Sequence, residues 1–316
     1  MGFDRRQWLR TTSAAAAALY LDPFRLDAAQ GSRTFALQAA AQRTRAIPSS
    51  GEELPVVGLG SARTFSVRPG SPEVDALREV LRLFHAQGGR VFDTAPTYGG
   101  AEDVSGMLAR ELGIHRELFL ATKISTGGGR QSAAAQERGS REVWDREVID
   151  LNQVHNLRNV EEHLPYLREA KEAGRVRYIG VTTSRIPQHD ATEAVLRREP
   201  MDFVQLNYSL GERQAAERLL PLAQDRGLAV IVNEPFNAGN VFRAVRGRSV
   251  PEWAAEFDCA SWGQFFLKYV LAHPAITVVI PATSDPEHLT DNMGAGLGAL
   301  PDEAQRRRME AFFDGL

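Results

Sequence analysis

One cysteine, three lysines and no long apolar run set this chain of 316 residues apart from several classes at once. A single cysteine excludes an intrachain disulfide, and the Phe257-Asp258-Cys259-Ala260 setting fits a packing residue rather than a catalytic thiol. No run of about 18 apolar residues occurs, which predicts no transmembrane helix in the mature protein. The net charge is −3, without the basic excess of a general nucleic-acid binder. What remains, 43% hydrophobic and 24% charged, is the composition of a globular chain with a large core. Of 37 basic residues only Lys123, Lys171 and Lys268 are lysines. Burial can tune a lysine and not an arginine, so a lysine in an apolar setting marks a candidate site.

The front end reads Asp4-Arg5-Arg6-Gln7-Trp8-Leu9-Arg10, followed by an Ala-rich run to Leu21. A basic start ahead of a short apolar stretch resembles an export signal, and the paired arginines resemble the twin-arginine type. That resemblance implies a folded passenger, the twin-arginine translocation machinery as partner and a periplasmic destination. The alternative is an Arg-rich tail on a cytoplasmic protein. Residues 23–50, rich in Ala, Gln, Ser and Arg, read as a linker, so the expected division is 1–50 signal and linker, 51–316 folded domain.

From residue 54 short apolar runs recur at 54–60, 89–95, 118–123, 149–155, 177–183, 203–209, 228–235 and 276–281. Segments with helical spacing separate them: Val74, Leu77, Val80, Leu81 and Phe84 mark one apolar face, and Leu164, Leu167, Ala170 and Ala173 another. Strands alternating with helices imply parallel pairing, and eight such units predict an α/β fold, a closed (β/α)8 TIM barrel. An open doubly wound sheet is the rival, but Gly58-Leu59-Gly60 lacks the third glycine of its phosphate loop. Residues 125–147 have a thin apolar face and Gly139 inside it, so the helix there is expected to be short or loosely packed.

Loops after the strands form the active face of such a barrel. Asp93 and Tyr98 follow the second run, Lys123 ends the third and His155 ends the fourth. Each has an ordinary explanation alone: a helix cap, a packed ring, a solvated amine, a core imidazole. Together on one rim they predict a proton-transfer site. A phenol is a weak acid at neutral pH, and a nearby ammonium favours its ionisation. Asp93 would orient that ammonium, and His155 would stabilise a carbonyl oxygen as charge builds there. Such a site suits reduction of an aldehyde or ketone, with hydride supplied by a nicotinamide cofactor.

Asp-Thr-Ala-x-x-Tyr-Gly at 93–99, Ala-Thr-Lys at 121–123 and Val-His-Asn at 154–156 resemble the aldo-keto reductases, over about residues 54–292. The resemblance implies a (β/α)8 barrel, an NADP(H) site with NAD(H) possible, and Tyr98 as proton donor partnered by Asp93, Lys123 and His155. It places Gly60 and Ser61 beside the nicotinamide, Thr182, Thr183 and Gln205 on its carboxamide, and Asn233 where many members carry a stacking Tyr, with Phe236 as a partial substitute. At the adenosine end it implies Thr283, Ser284, His288 and Asn292, although Ala282 and His288 stand where the family often has Lys and Arg. Thr283, Ser284 and free N–H groups of a helix starting near Pro286 remain to hold a phosphate. Arg243, Arg246 and Arg248 are candidates to restore the charge or are simply solvated. Phe65, Leu157 and Phe236 are expected to line an apolar pocket for a small-molecule carbonyl substrate. A cofactor-binding regulatory barrel with little turnover is the alternative function, and a redox-neutral elimination or isomerisation a third.

Overall fold

The computed structural model describes residues 41–316, so the expected export signal lies outside the described residues. Eight strands form one parallel sheet in chain order: β3 (Leu59–Gly60), β4 (Val91–Asp93), β5 (Phe119–Ile124), β6 (Ile149–Val154), β7 (Val176–Thr182), β8 (Phe203–Asn207), β9 (Ala229–Asn233) and β10 (Val278–Val279). The ends meet through a Val57–Val279 bridge, with Gly58 N–H donating to Val279 O at 2.8 Å and Gly60 N–H to Pro281 O at 3.0 Å. This closes the predicted barrel. A Cβ on Gly58 would lie 2.7 Å from Val91 O, so the seam needs glycine there.

Alternation along the strands builds two cores. Val91, Phe119, Ala121, Leu151, Tyr178, Phe203, Ala229, Ile231, Val278 and Ile280 fill the barrel. The opposite faces join the helices in a larger outer core. Ten helices surround the barrel among the described residues: α1 (Glu73–Ala86), α2 (Ala101–Glu111), α3 (Arg130–Val143), α4 (Val160–Glu172), α5 (His189–Arg198), α6 (Leu219–Asp225), α7 (Asn240–Ala244), α8 (Trp262–Leu271), α9 (Pro286–Gly294) and α10 (Glu303–Asp314). The expected face of α1 is buried throughout, and in α4 Leu164, Leu167 and Ala170 are buried while Ala173 caps the exposed end.

Two expectations need correction. The folded body begins before residue 51: β1 (Thr44–Ala46) pairs antiparallel with β2 (Glu53–Pro55), so residues 44–50 are not linker. Ile47 and Leu54 of this hairpin join the inner core, and the Arg45 guanidinium donates to the carbonyls of Leu271, His273 and Ile276. The hairpin thereby covers the end of the barrel where the strands begin.

The helix expected to be short or loose, α3, runs 14 residues. Its thin apolar face is supplemented by buried polar contacts. The Glu137 carboxylate accepts from Arg141 Nε at 2.6 Å, Tyr166 OH at 2.5 Å and Arg175 Nε at 3.1 Å. Ser140 Oγ donates to Glu102 Oε2 at 3.2 Å, and Gly106 lets α2 approach Val143. Gly139 faces open space.

Candidate active site

Asp93 is the last residue of β4, and Lys123 lies near the end of the neighbouring β5. Strand pairing sets Asp93 beside Ala121, so Lys123 stands two residues further along the same inward face. Both side chains are buried. Lys123 Nζ donates to Asp93 Oδ1 at 2.7 Å, to Oδ2 at 2.8 Å and to Thr94 O at 2.7 Å. Gln205 Nε2, from β8, donates to Asp93 Oδ2 at 2.8 Å. A buried carboxylate is tolerated here because a cation and an amide both meet it. Burial alone would lower the Lys123 ammonium, but Asp93 chiefly, with Tyr98, holds it above its usual value.

Tyr98 arrives by a turn. Its N–H donates to Ala95 O at 3.0 Å, and Gly99 follows at φ +62°, a left-handed value at which a Cβ would also strike Ser66 Oγ. The turn holds the Tyr98 ring with its centroid 4.9 Å from Lys123 Nζ and 5.6 Å from the His155 ring, edge to face at 80°. The four residues anticipated from three strand ends therefore meet. The electrostatic balance differs from the expectation of a phenol driven towards ionisation. Burial pushes the Tyr98 phenol up, Asp93 and Glu234 add to it, and Lys123 only partly opposes them. The phenol thus keeps its proton.

His155 follows β6 and leads a turn in which Asn156 and Leu157 adopt positive φ. Burial lowers its imidazole to about 3, with Lys123 and Arg158 acting in the same direction. The ring is neutral at physiological pH. Its Nδ1 lies 2.8 Å from Ser125 Oγ.

Asp93, Tyr98 and His155 open onto a cavity of about 660 Å³. Gly60, Thr182, Gln205 and Phe236 line it as anticipated. Thr183 does not: its hydroxyl turns away to Gln188 Oε1 at 3.0 Å, and Ser184 and Asn156 line the wall instead. Ser61 is buried with an unpartnered hydroxyl. Asn233 lines the wall and donates to Thr183 O at 3.0 Å, so an amide occupies the place of a stacking ring. The pocket is more polar than expected. Phe65 is buried against Phe92 at 5.5 Å, and neither Phe65 nor Leu157 lines the cavity, whereas Thr64, Ser66 and Thr97 do.

The anticipated adenosine end departs most. Thr283 Oγ1 accepts from Asp285 N–H at 3.0 Å, Ser284 and His288 are exposed, and Asn292 is buried. The α9 N-terminus is not free for an anion. Asp285 caps it, its Oδ1 accepting from Glu287 N–H at 2.7 Å and His288 N–H at 3.3 Å. Arg243, Arg246 and Arg248 are exposed and outside the cavity wall, as solvated residues would be. Sequence reasoning missed Arg63, which lines the cavity from a left-handed position (φ 67°) just past β3. Its signal was available: a cation two residues beyond Ser61, in a loop of the active rim.

Known proteins resemble this chain in sequence and in fold. The family model described as the aldo/keto reductase family matches residues 56–311. Aldo-keto reductase YhdN of Bacillus subtilis is 29% identical over 67% of this chain, and the match spans 66% of that protein, just under two thirds of its length. L-galactose dehydrogenase of Arabidopsis thaliana is 27% identical over 79% of this chain and 87% of its own. Among solved structures, an aldo/keto reductase from Klebsiella pneumoniae in complex with NADP and acetate superposes with TM-score 0.69 at 22% identity, covering 83% of this chain and 93% of that one. Glycerol dehydrogenase from Gluconobacter oxydans gives TM-score 0.70 at 19% identity, over 85% and 94%. The shared fold, and a family match that reaches across the barrel from its first strand to its last helix, make this chain a member of the aldo/keto reductase family.

Proposed function

We propose that the chain reduces an aldehyde or ketone to an alcohol with NADP(H), with Tyr98 as proton donor. The observation that carries the reading is the buried Lys123–Asp93 pair, 2.7 Å apart, set beneath the phenol and beside a neutral His155. The cavity suits the nicotinamide end of the cofactor: Asn156, Thr182, Ser184 and Gln205 offer the amides and hydroxyls that a carboxamide needs. Gln205 has its Nε2 engaged by Asp93, which leaves its amide oxygen as acceptor. Arg63, at the mouth, supplies a guanidinium suited to a phosphate.

When bound, the cofactor supplies the hydride. This chain's residues do the rest. Tyr98 gives its proton to the carbonyl oxygen, and His155 steadies that oxygen with an N–H as negative charge develops. Lys123 favours the phenolate left behind, and Asp93 with Thr94 O keeps the ammonium aimed. Hydroxyls of Thr64, Ser66 and Thr97 suit a hydroxylated substrate. One relative is named for L-galactose, which supports the same class.

The test follows NADPH absorbance with a panel of hydroxylated and apolar aldehydes. The parent turns over, and Tyr98→Phe loses roughly 10²–10⁴-fold in kcat with NADPH binding retained. Cofactor binding without turnover in the parent would establish the alternative, a binding barrel. Repeating the assay with NADH measures how far Arg63 compensates for the missing cations at 282–292.

Location is a second proposal: export through the twin-arginine pathway, resting on Arg5 and Arg6 ahead of the Ala-rich run. Residues 1–50 fused to a reporter are expected to direct it to the periplasm, and Arg5→Lys with Arg6→Lys to abolish this. A reporter that stays in the cytoplasm in both forms excludes export.

A further inference from the structure

Ser125 lies one residue past β5 and two past Lys123, and is 2% exposed. Its backbone is engaged on both sides: the N–H donates to Gln136 Oε1 at 2.8 Å, and the carbonyl accepts from Arg158 Nη1 at 3.3 Å. Gln136 also accepts from Thr126 N–H at 2.9 Å, so a side chain of α3 fixes this loop. The Ser125 hydroxyl has one polar neighbour among the described residues, His155 Nδ1 at 2.8 Å. Thr97 Oγ1 approaches the same nitrogen at 3.4 Å from the exposed side.

A neutral imidazole carries one N–H and one bare nitrogen, and its neighbours decide which is which. Burial and the positive field of Lys123 and Arg158 keep this ring neutral, so there is a single proton to place. With the proton on Nδ1, the buried Ser125 O–H would find no acceptor and Thr97 would face a donor. With Nδ1 bare, the Ser125 O–H donates to it and both hydroxyls are accommodated. An unmet buried donor is the costlier arrangement. The ring proton then sits on Nε2, the nitrogen that remains for the cavity His155 lines.

We propose that Ser125 is a positioning residue for carbonyl reduction: its hydroxyl donates to His155 Nδ1 and fixes the tautomer whose Nε2–H meets the substrate oxygen. The assignment rests on the reductase reading for its purpose but not for its geometry. Ser125 does not line the cavity and acts through His155, as outer partners of a metal-bound imidazole do in fixing its tautomer.

The experiment uses the full chain labelled with ¹⁵N-histidine, and long-range ¹H–¹⁵N spectra with His155→Gln to assign the ring. The parent is expected to show the neutral Nε2–H form of His155 from about pH 5.5 to 8. Ser125→Ala is expected to mix the tautomers and lower kcat about tenfold, the effect of one lost hydrogen bond, with NADPH affinity unchanged. Ser125→Thr, which keeps the hydroxyl, restores both the spectrum and most of kcat. An Nδ1–H signal in the parent overturns the inference, and so does Ser125→Ala with tautomer and kcat unaltered. The parent spectrum alone decides should Ser125→Ala fail to fold. A parent with the Nε2–H form and no turnover overturns the reductase reading instead.

Discussion

Lys123 and Lys268 are both buried, and their ammonium groups move in opposite directions. Lys268 donates to Leu297 O at 2.7 Å and Ala299 O at 2.8 Å, which ties α8 to the chain beyond α9. Carbonyls do not neutralise it, and burial pushes it down to about 8. Lys123 faces a carboxylate and is held up. Partner charge, not burial, separates a structural lysine from one that can steer a phenol. Lys123→Met would leave Asp93 buried without its cation, and is expected to cost about 3–5 kcal/mol in urea unfolding. Lys123→Met with Asp93→Asn should recover part of that loss, because the stranded charge is gone. A single substitution costing no more than a surface change would show that the pair does not hold the strand ends together. The four catalytic candidates were legible because the scarce types Lys, Tyr and His fall, together with Asp93, where strands run out. Ser125 was not, since only its contact with His155 singles it out, whereas Arg63 was marked by its place two residues beyond Ser61.

At the scale of elements, α3 shows where apolar periodicity runs out as a guide. Its apolar stripe is thin, yet the helix is complete because Glu137, Ser140 and Gln136 each find a specific partner on a neighbouring element. Those partners lie 11 to 38 residues away in sequence, so no local pattern announces them. Burial pushes the Glu137 carboxylate up, but Tyr166, Arg175 and Arg141 together bring it below its usual value. Two substitutions separate propensity from contact. Gly139→Ala meets open space and is expected to stabilise by about 0.5–1 kcal/mol, the helix-propensity difference. Glu137→Leu strands Tyr166 OH and two guanidinium groups, and is expected to destabilise by about 1.5–3 kcal/mol. No shift in thermal unfolding from either substitution would mean the helix is held by neither. The hairpin at the barrel base was hidden for a related reason. Residues 44–46 are polar enough to read as linker, and only Ile47 and Leu54, one from each side of the turn, reach the core.

Across the whole molecule, the barrel was legible because eight apolar runs each fill both faces of a covered parallel sheet, and no other closed arrangement of eight such units is common. The polarity of its cavity was not, because loop side chains set it and their directions follow from turns such as the one at Gly99. The same interior predicts how the fold responds to acid. Burial holds His155 neutral down to about 3 and His273 down to about 4, the latter helped by Arg306 and Arg45. In the unfolded chain both regain ordinary values near 6.5. Between those limits the unfolded chain binds more protons, so stability rises with pH and is lost as pH falls below about 6.5. Glu102 acts with the opposite sign, since burial raises its carboxyl and the folded state gains protons on acidification. Comparing variants with the parent cancels that term. The urea midpoint of the parent should fall between about pH 7 and pH 5, and His155→Gln with His273→Gln should make that fall shallower. A double variant that loses as much as the parent would place the acid sensitivity elsewhere, and with it would go the neutral imidazole on which the proposed chemistry depends.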